Sequence, residues 1–257
     1  MPAPALPRHR AVHLERALRD GSSWPIVVRD DAGARWLVKL RGAAQGTATL
    51  VAEIIVAELA AALDLPVPPR AIVTLAGVLP TDDPHQELAD LVARSGGDNL
   101  GFAYLPDARL ATTAELAALD PAIAARVLWL DGLVANADRT VANPNLMIAA
   151  GQLWLIDHGA ALPFQYAWAA VTEATPRAPP APRVAHALAA HAAQLTAVDA
   201  AAAARLSRAT LEAAVALVPD SLLTPLVRPP ATLARLRAAY VAFLWKRLRA
   251  PRPFVPA

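Results

Sequence analysis

The chain has no cysteine, which excludes disulfides and thiolate metal sites. It has no uninterrupted apolar run of the roughly 18 residues a membrane-spanning helix needs. Its most apolar stretch, 123–137, is broken by Arg126 and Asp131. The 56% hydrophobic content comes largely from alanine, since aromatics are only 5%. No signal-peptide core follows Met1-Pro2-Ala3-Pro4, so the protein reads as cytoplasmic, with no membrane partner. No His-Glu-x-x-His motif and no Ser-His-Asp order appears. His186 and His191 are five apart, which suits neither helical pair spacing. Acid is absent from 228–252, where seven Arg or Lys fall. That run reads as a solvated helix face, because no nucleic-acid motif accompanies it. Lysine is the last scarcity: Lys39 and Lys246 stand against 22 arginines.

What is present is a polar order of uncommon spacing. Asp138-Arg139-Thr140-Val141-Ala142-Asn143 is followed by Asp157-His158-Gly159. Between them lie two short apolar segments, 145–148 and 152–156, split by Ala149-Ala150-Gly151. That reads as a β-hairpin. Asp-x4-Asn, hairpin, Asp-x-Gly is the order that phosphoryl transfer uses. Asp138 would orient the acceptor hydroxyl as catalytic base. Asn143 and Asp157 would hold Mg²⁺. Asp157 ends an apolar strand, where a charge is costly unless paired or metal-bound, and Gly159 would let the backbone turn. The alternative is an Asx-rich turn before a hairpin, with Asp157 as an ordinary strand-ending residue.

Lys39 persists in an apolar strand, Trp36-Leu37-Val38-Lys39-Leu40, where a compact ammonium suits the phosphates of ATP. The alternative is an edge-strand lysine with its head in water. A helix-period segment over 48–63 carries Glu53, the expected ion-pair partner of Lys39; Glu58 is the alternative. Upstream, 13–18, 25–29 and the run before Lys39 read as strands. Gly21-Ser22-Ser23 at the first hairpin tip would cover the phosphates, or form a plain turn. The segment 41–47 suits an anion site at a helix N-terminus, or equally a connector with Thr47 as N-cap.

Residues 71–75 read as a further strand and 77–100 as polar loop. Phe102-Ala103-Tyr104-Leu105-Pro106 reads as a strand leading into a linker, with Tyr104 and Leu105 as adenine contacts or as core. Helical signals cover 114–136, with Asp120-Pro121 as N-cap and first turn. The Pro-rich stretch 172–183 reads as an exposed connector. Helices are expected over 184–193, 197–204, 207–217 and 230–249.

These residues together resemble the HipA-like kinase domain family. The likeness runs through Trp36-Leu37-Val38-Lys39, Gln45-Gly46-Thr47, 52–60, and Leu63-Asp64-Leu65-Pro66-Val67-Pro68. It continues through Asn136-Ala137-Asp138-Arg139-Thr140, Asn143-Pro144-Asn145-Leu146, Leu155-Ile156-Asp157-His158-Gly159, and 237–254. The resemblance implies an α+β, protein-kinase-like, two-lobed fold in one domain, 1–257. A small β-rich N-lobe over 11–105 would hold one C-type helix. A mostly helical C-lobe over 106–257 would carry the catalytic-loop hairpin. It also implies ATP and Mg²⁺ as cofactors and a protein Ser or Thr hydroxyl as acceptor. A small-molecule acceptor and a nucleotide-binding pseudokinase are the alternatives. Asn136-Ala137 stands where eukaryotic protein kinases have His-Arg, so an arginine relay to an activation loop is not expected.

Overall fold

The computed structural model describes residues 5–18, 24–43, 46–81, 83–179 and 186–256. Gly21, Ser22 and Ser23, and Gln45 of the 41–47 segment, lie outside them. Strands β1 (Arg8–Ala17), β2 (Ile26–Asp30), β3 (Arg35–Lys39), β4 (Arg70–Leu75) and β5 (Gly97–Ala103) close a barrel in the order β1-β2-β3-β5-β4. Helix α1 (Thr47–Ala62) crosses from β3 to β4. Residues alternate along β3: Trp36 and Val38 point into the barrel core, while Leu37 and Lys39 face the opposite side. This alternation puts the lysine outside the barrel.

The 77–100 stretch is not a loop. It contains α2 (Gln86–Ala93) and the start of β5. Leu88, Leu91 and Val92 recur at helical spacing and plug the barrel core. Their exposed faces carry the Gln, Glu and Asp that gave the segment its loop-like composition.

Helix α1 is apolar all round and buried on nearly every face. It packs on later helices as well as on the barrel, so the main core runs through it. Its N-cap is Gly46, at φ 70°, not Thr47, which is the first helical residue. Gly46 is needed because the chain enters the helix through the left-handed region.

A short strand β6 (Arg109–Leu110) joins the hairpin β7 (Leu146–Ala149) and β8 (Gln152–Leu155). The turn is Ala150 at φ 48° and Gly151 at φ 74°, the two positive values a tight hairpin favours. Helices α3 (Thr113–Ala117) and α4 (Pro121–Val134) precede it. The Asp120 side chain caps α4 as expected. Ala135, at φ 54°, ends it and turns the chain into 136–145.

The remaining helices are α5 (Leu195–Arg205), α6 (Arg208–Ala216), α7 (Asp220–Leu223) and α8 (Leu233–Leu248). No single helix among the described residues is long and apolar enough to cross a membrane. Stretch 184–193 is not an α-helix where described. His186 forms a β-bridge to Thr140, and a 3-10 turn spans Ala189–Gln194. The described part of 172–183 is largely exposed, as expected, but it is neither fully extended nor loose: a 3-10 turn spans Thr175–Arg177. Pro176 is buried, and the Arg247 guanidinium donates to the Pro176 and Ala178 carbonyls. The basic run 228–252 is spent on such bonds more than on a solvated face. Arg237 donates to the carbonyls of Val215 and Val218, Arg252 pairs with Asp199, and Lys246 with Glu173.

Candidate active site

Two loops and two buried elements build the site. Lys39, at the end of β3, pairs with Glu53 of α1 and lies 2.6 Å from Asp157. Glu58 turns away to Arg70, so Glu53 is the partner. The Glu53 side chain is fully buried, while that of Asp157 is 43% exposed. Glu53 also accepts the His158 backbone N–H at 2.9 Å. The three groups titrate against one another. Burial pushes the Glu53 carboxyl up, despite the adjacent ammonium. Burial opposes the Lys39 charge, yet the two carboxylates hold it above the ordinary lysine range. Burial also opposes ionisation of Asp157, but Lys39 keeps it below the usual carboxylate range.

Asp157 makes the turn expected of Gly159: its φ is 54°, a left-handed conformation uncommon outside glycine but among those aspartate tolerates. Gly159 serves a different end. A Cβ there would lie 3.4 Å from both Glu53 Oε1 and Thr49 Cβ, at the edge of ordinary van der Waals contact, so the loop sits close against α1. His158 is buried, and its imidazole is pushed down to about 3 by burial and the neighbouring Arg139. It is neutral and packed rather than turned to solvent.

Asp138 and Asn143 form a second group. Asp138 Oδ2 accepts from Asn143 Nδ2 at 3.0 Å and from Asn145 Nδ2 at 3.1 Å. Asn145 was missed as a site residue. Its signal in the sequence was a second Asn, two residues after Asn143 and just before an apolar run; in the structure its φ is 48°. Arg139 ties the two loops: it donates to the Pro144 and Asn145 carbonyls and sits 3.4 Å from His158 Nδ1.

A cavity of about 660 Å³ opens in front of Lys39. Leu37, Phe102, Met147 and Ile156 give it apolar walls, and Tyr104, Leu105 and Asp157 also line it. Tyr104 is held by Arg16, which donates to its hydroxyl at 2.7 Å, and by Arg35, stacked 4.1 Å from its ring centre. Its backbone N–H is used by the Arg35 carbonyl. Asp138 and Asn143 are outside this lining. Among the described residues no cluster of three or more His, Asp or Glu could hold a metal by itself.

A barrel bearing a lysine, a buried glutamate on the crossing helix, and an aspartate in a post-hairpin turn define a kinase-like fold. The HipA-like kinase family matches residues 11–175, and the chain belongs to that family. Its structure is similar to that of a Helicobacter pylori proinflammatory kinase, CtkA, with a TM-score of 0.60. The two share 9% identity over 98% of this chain and 96% of that one, so the likeness concerns the fold alone. No curated protein matches the chain.

Proposed function

We propose that this protein is an ATP- and Mg²⁺-dependent phosphotransferase that acts on an alcohol hydroxyl, with a protein Ser or Thr side chain as acceptor. In this reading 11–105 is an N-lobe and 106–257 a C-lobe of one kinase-like domain, with the cavity between them. The observation that carries it is the Lys39 ammonium held between buried Glu53 and half-exposed Asp157 at the cavity wall.

The residues fit the cofactors. The cavity combines apolar walls with a few fixed polar groups, as a nucleotide site does. Asp157 and the Asn143 carboxamide oxygen supply hard oxygen ligands. Mg²⁺ needs only one or two of these from protein when phosphates and water complete its shell. Asn143 gives its N–H to Asp138, which leaves its oxygen free to face a cation. When bound, Mg²⁺ neutralises charge on the β- and γ-phosphates.

The chain's own residues do the rest. Lys39 holds the phosphates, and Glu53 fixes Lys39. Asp138, its Oδ2 pinned by two amides, orients the acceptor hydroxyl with its other oxygen and takes the proton. The acceptor oxygen bonds to the γ-phosphorus as the bond to the ADP oxygen breaks. Positioning and charge compensation supply most of the acceleration.

The test is a thermal-shift titration with a non-hydrolysable ATP analogue, with and without Mg²⁺, alongside ATP turnover. Wild type is expected to gain metal-dependent stabilisation, Asp157→Ala to lose it, and Asp138→Ala to keep it while losing turnover. Stabilisation without turnover in wild type would favour the pseudokinase. No stabilisation of folded protein would remove the nucleotide site altogether.

A further inference from the structure

Four residues with no role in the phosphate chemistry meet behind Asp138. Asp131 lies in α4 with its side chain 2% exposed. Its Oδ2 accepts from Arg139 Nε at 2.7 Å and from His186 Nε2 at 3.0 Å. Its Oδ1 accepts from Asn136 Nδ2 at 2.9 Å. Asn136 Oδ1 in turn accepts the backbone N–H of Asp138 at 3.1 Å. A continuous path therefore runs from His186 through Asp131 and Asn136 to the proposed base.

The tautomer of His186 follows from its second bond. The Leu188 N–H donates to Nδ1 at 3.0 Å. Nδ1 is then the bare nitrogen, and Nε2 carries the proton given to Asp131. The backbone repeats the connection. Thr140 and His186 form an antiparallel bridge, and the Ala187 N–H donates to the Arg139 carbonyl at 3.1 Å. Arg139 is itself buried and committed to Asp131 and to loop carbonyls.

We infer that His186 is a positioning residue for Asp138, coupling the chain that returns after Asp157 to the geometry of the catalytic loop. A carboxylate with three donors in a fixed triangle cannot rotate. With His186 removed, Asp131 turns toward Arg139 and releases Asn136, and with it the Asp138 N–H. The inference uses the phosphotransferase reading only for its kinetic readout.

The test is amide hydrogen exchange on the full chain for wild type, His186→Asn and His186→Gln. The shorter Asn keeps an acceptor for the Leu188 N–H but does not reach Asp131. Gln reaches Asp131 with an N–H. Exchange across 136–140 is expected to quicken about tenfold in His186→Asn, the equilibrium worth of one hydrogen bond to a charged group, and to stay near wild type in His186→Gln. The barrel strands serve as the internal control and keep their protection. In turnover, His186→Asn loses kcat by a similar factor while KM for ATP is unchanged, and Gln restores it. Unchanged exchange at 136–140 in His186→Asn would overturn the inference. So would a rise spread equally over the barrel, which would make His186 a general stabiliser. Faster local exchange in a protein that never turns over ATP would leave this inference standing and sink the kinase reading instead.

Discussion

The molecule holds two buried charge clusters that meet at His158, and they are built on opposite plans. Around Asp131, one carboxylate meets one guanidinium, a neutral imidazole and a carboxamide, all but closed to solvent. Around Lys39, one ammonium meets two carboxylates, and one of those, Asp157, opens on a cavity. The first cluster balances its charge and satisfies its donors internally. The second has one negative group more than it has positive; burial pushes the Glu53 carboxyl up, and the excess charge sits on Asp157, which Lys39 keeps below the usual carboxylate range and which faces the cavity. A closed, balanced cluster holds a loop in place. An open, unbalanced one has capacity left for a cation and phosphates.

The sharpest way to separate the two is to remove the cation from each. Arg139→Ala leaves Asp131 buried with its guanidinium gone and takes a donor from the Pro144 and Asn145 carbonyls, of which Asn145 keeps the Ile156 N–H. Breaking a buried pair in this way costs about 3–5 kcal/mol, and urea unfolding is expected to show that loss. Lys39→Met should cost far less stability, because Asp157 reaches solvent and Glu53 can take a proton. Its penalty should fall on nucleotide binding instead. Equal losses in unfolding would erase the distinction between the clusters.

This contrast also marks what the sequence could reveal. The open cluster was legible because its residues follow an order familiar from kinase-like folds: Lys39 on a strand, Glu53 on the next helix, and Asp157 after a hairpin. The hairpin itself was legible from Ala150-Gly151. The closed cluster was not, because nothing in the spacing of Asp131, Asn136, Arg139 and His186 requires them to meet. Asp131 showed only as a charge interrupting an apolar helix, and His186 only as an unpaired histidine in a presumed helix. The short helix α2 was hidden for another reason. Eight residues with three buried apolar positions give too little periodicity to stand out from a polar surround. Gly159 was legible as special, but for the wrong property. The positive φ lies at Asp157, and Gly159 instead lies against α1, a tertiary contact that no local pattern encodes.

A second way to sharpen the comparison is pH, through His158, which lies against both clusters. An unfolded imidazole titrates near 6.5, whereas the folded one is pushed down to about 3. Below pH 6.5 the unfolded chain therefore binds a proton that the folded chain refuses. Stability from this group is complete above pH 6.5 and falls as pH drops toward 3, by about 1.4 kcal/mol per unit. Between pH 6.5 and 5 that amounts to about 2 kcal/mol. Urea unfolding at several pH values should show the slope in wild type and a shallower one in His158→Gln. An identical slope in both would mean that other groups drive the acid limb.

The smallest effect is expected from Glu53→Gln. The substitution keeps shape and burial and removes a carboxyl that burial already pushes toward neutrality. It relieves the desolvation cost and loses part of one contact, since an amide has one acceptor oxygen for both the Lys39 ammonium and the His158 N–H. One hydrogen bond is worth about 1 kcal/mol, so the net change in unfolding should be about that size or less. Lys39 would then answer to Asp157 alone, and the analogue's affinity should fall while the fold holds. If Glu53→Gln instead cost as much stability as Arg139→Ala, the Lys39 cluster would be scaffold as well, and its spare charge would not be there to receive a ligand.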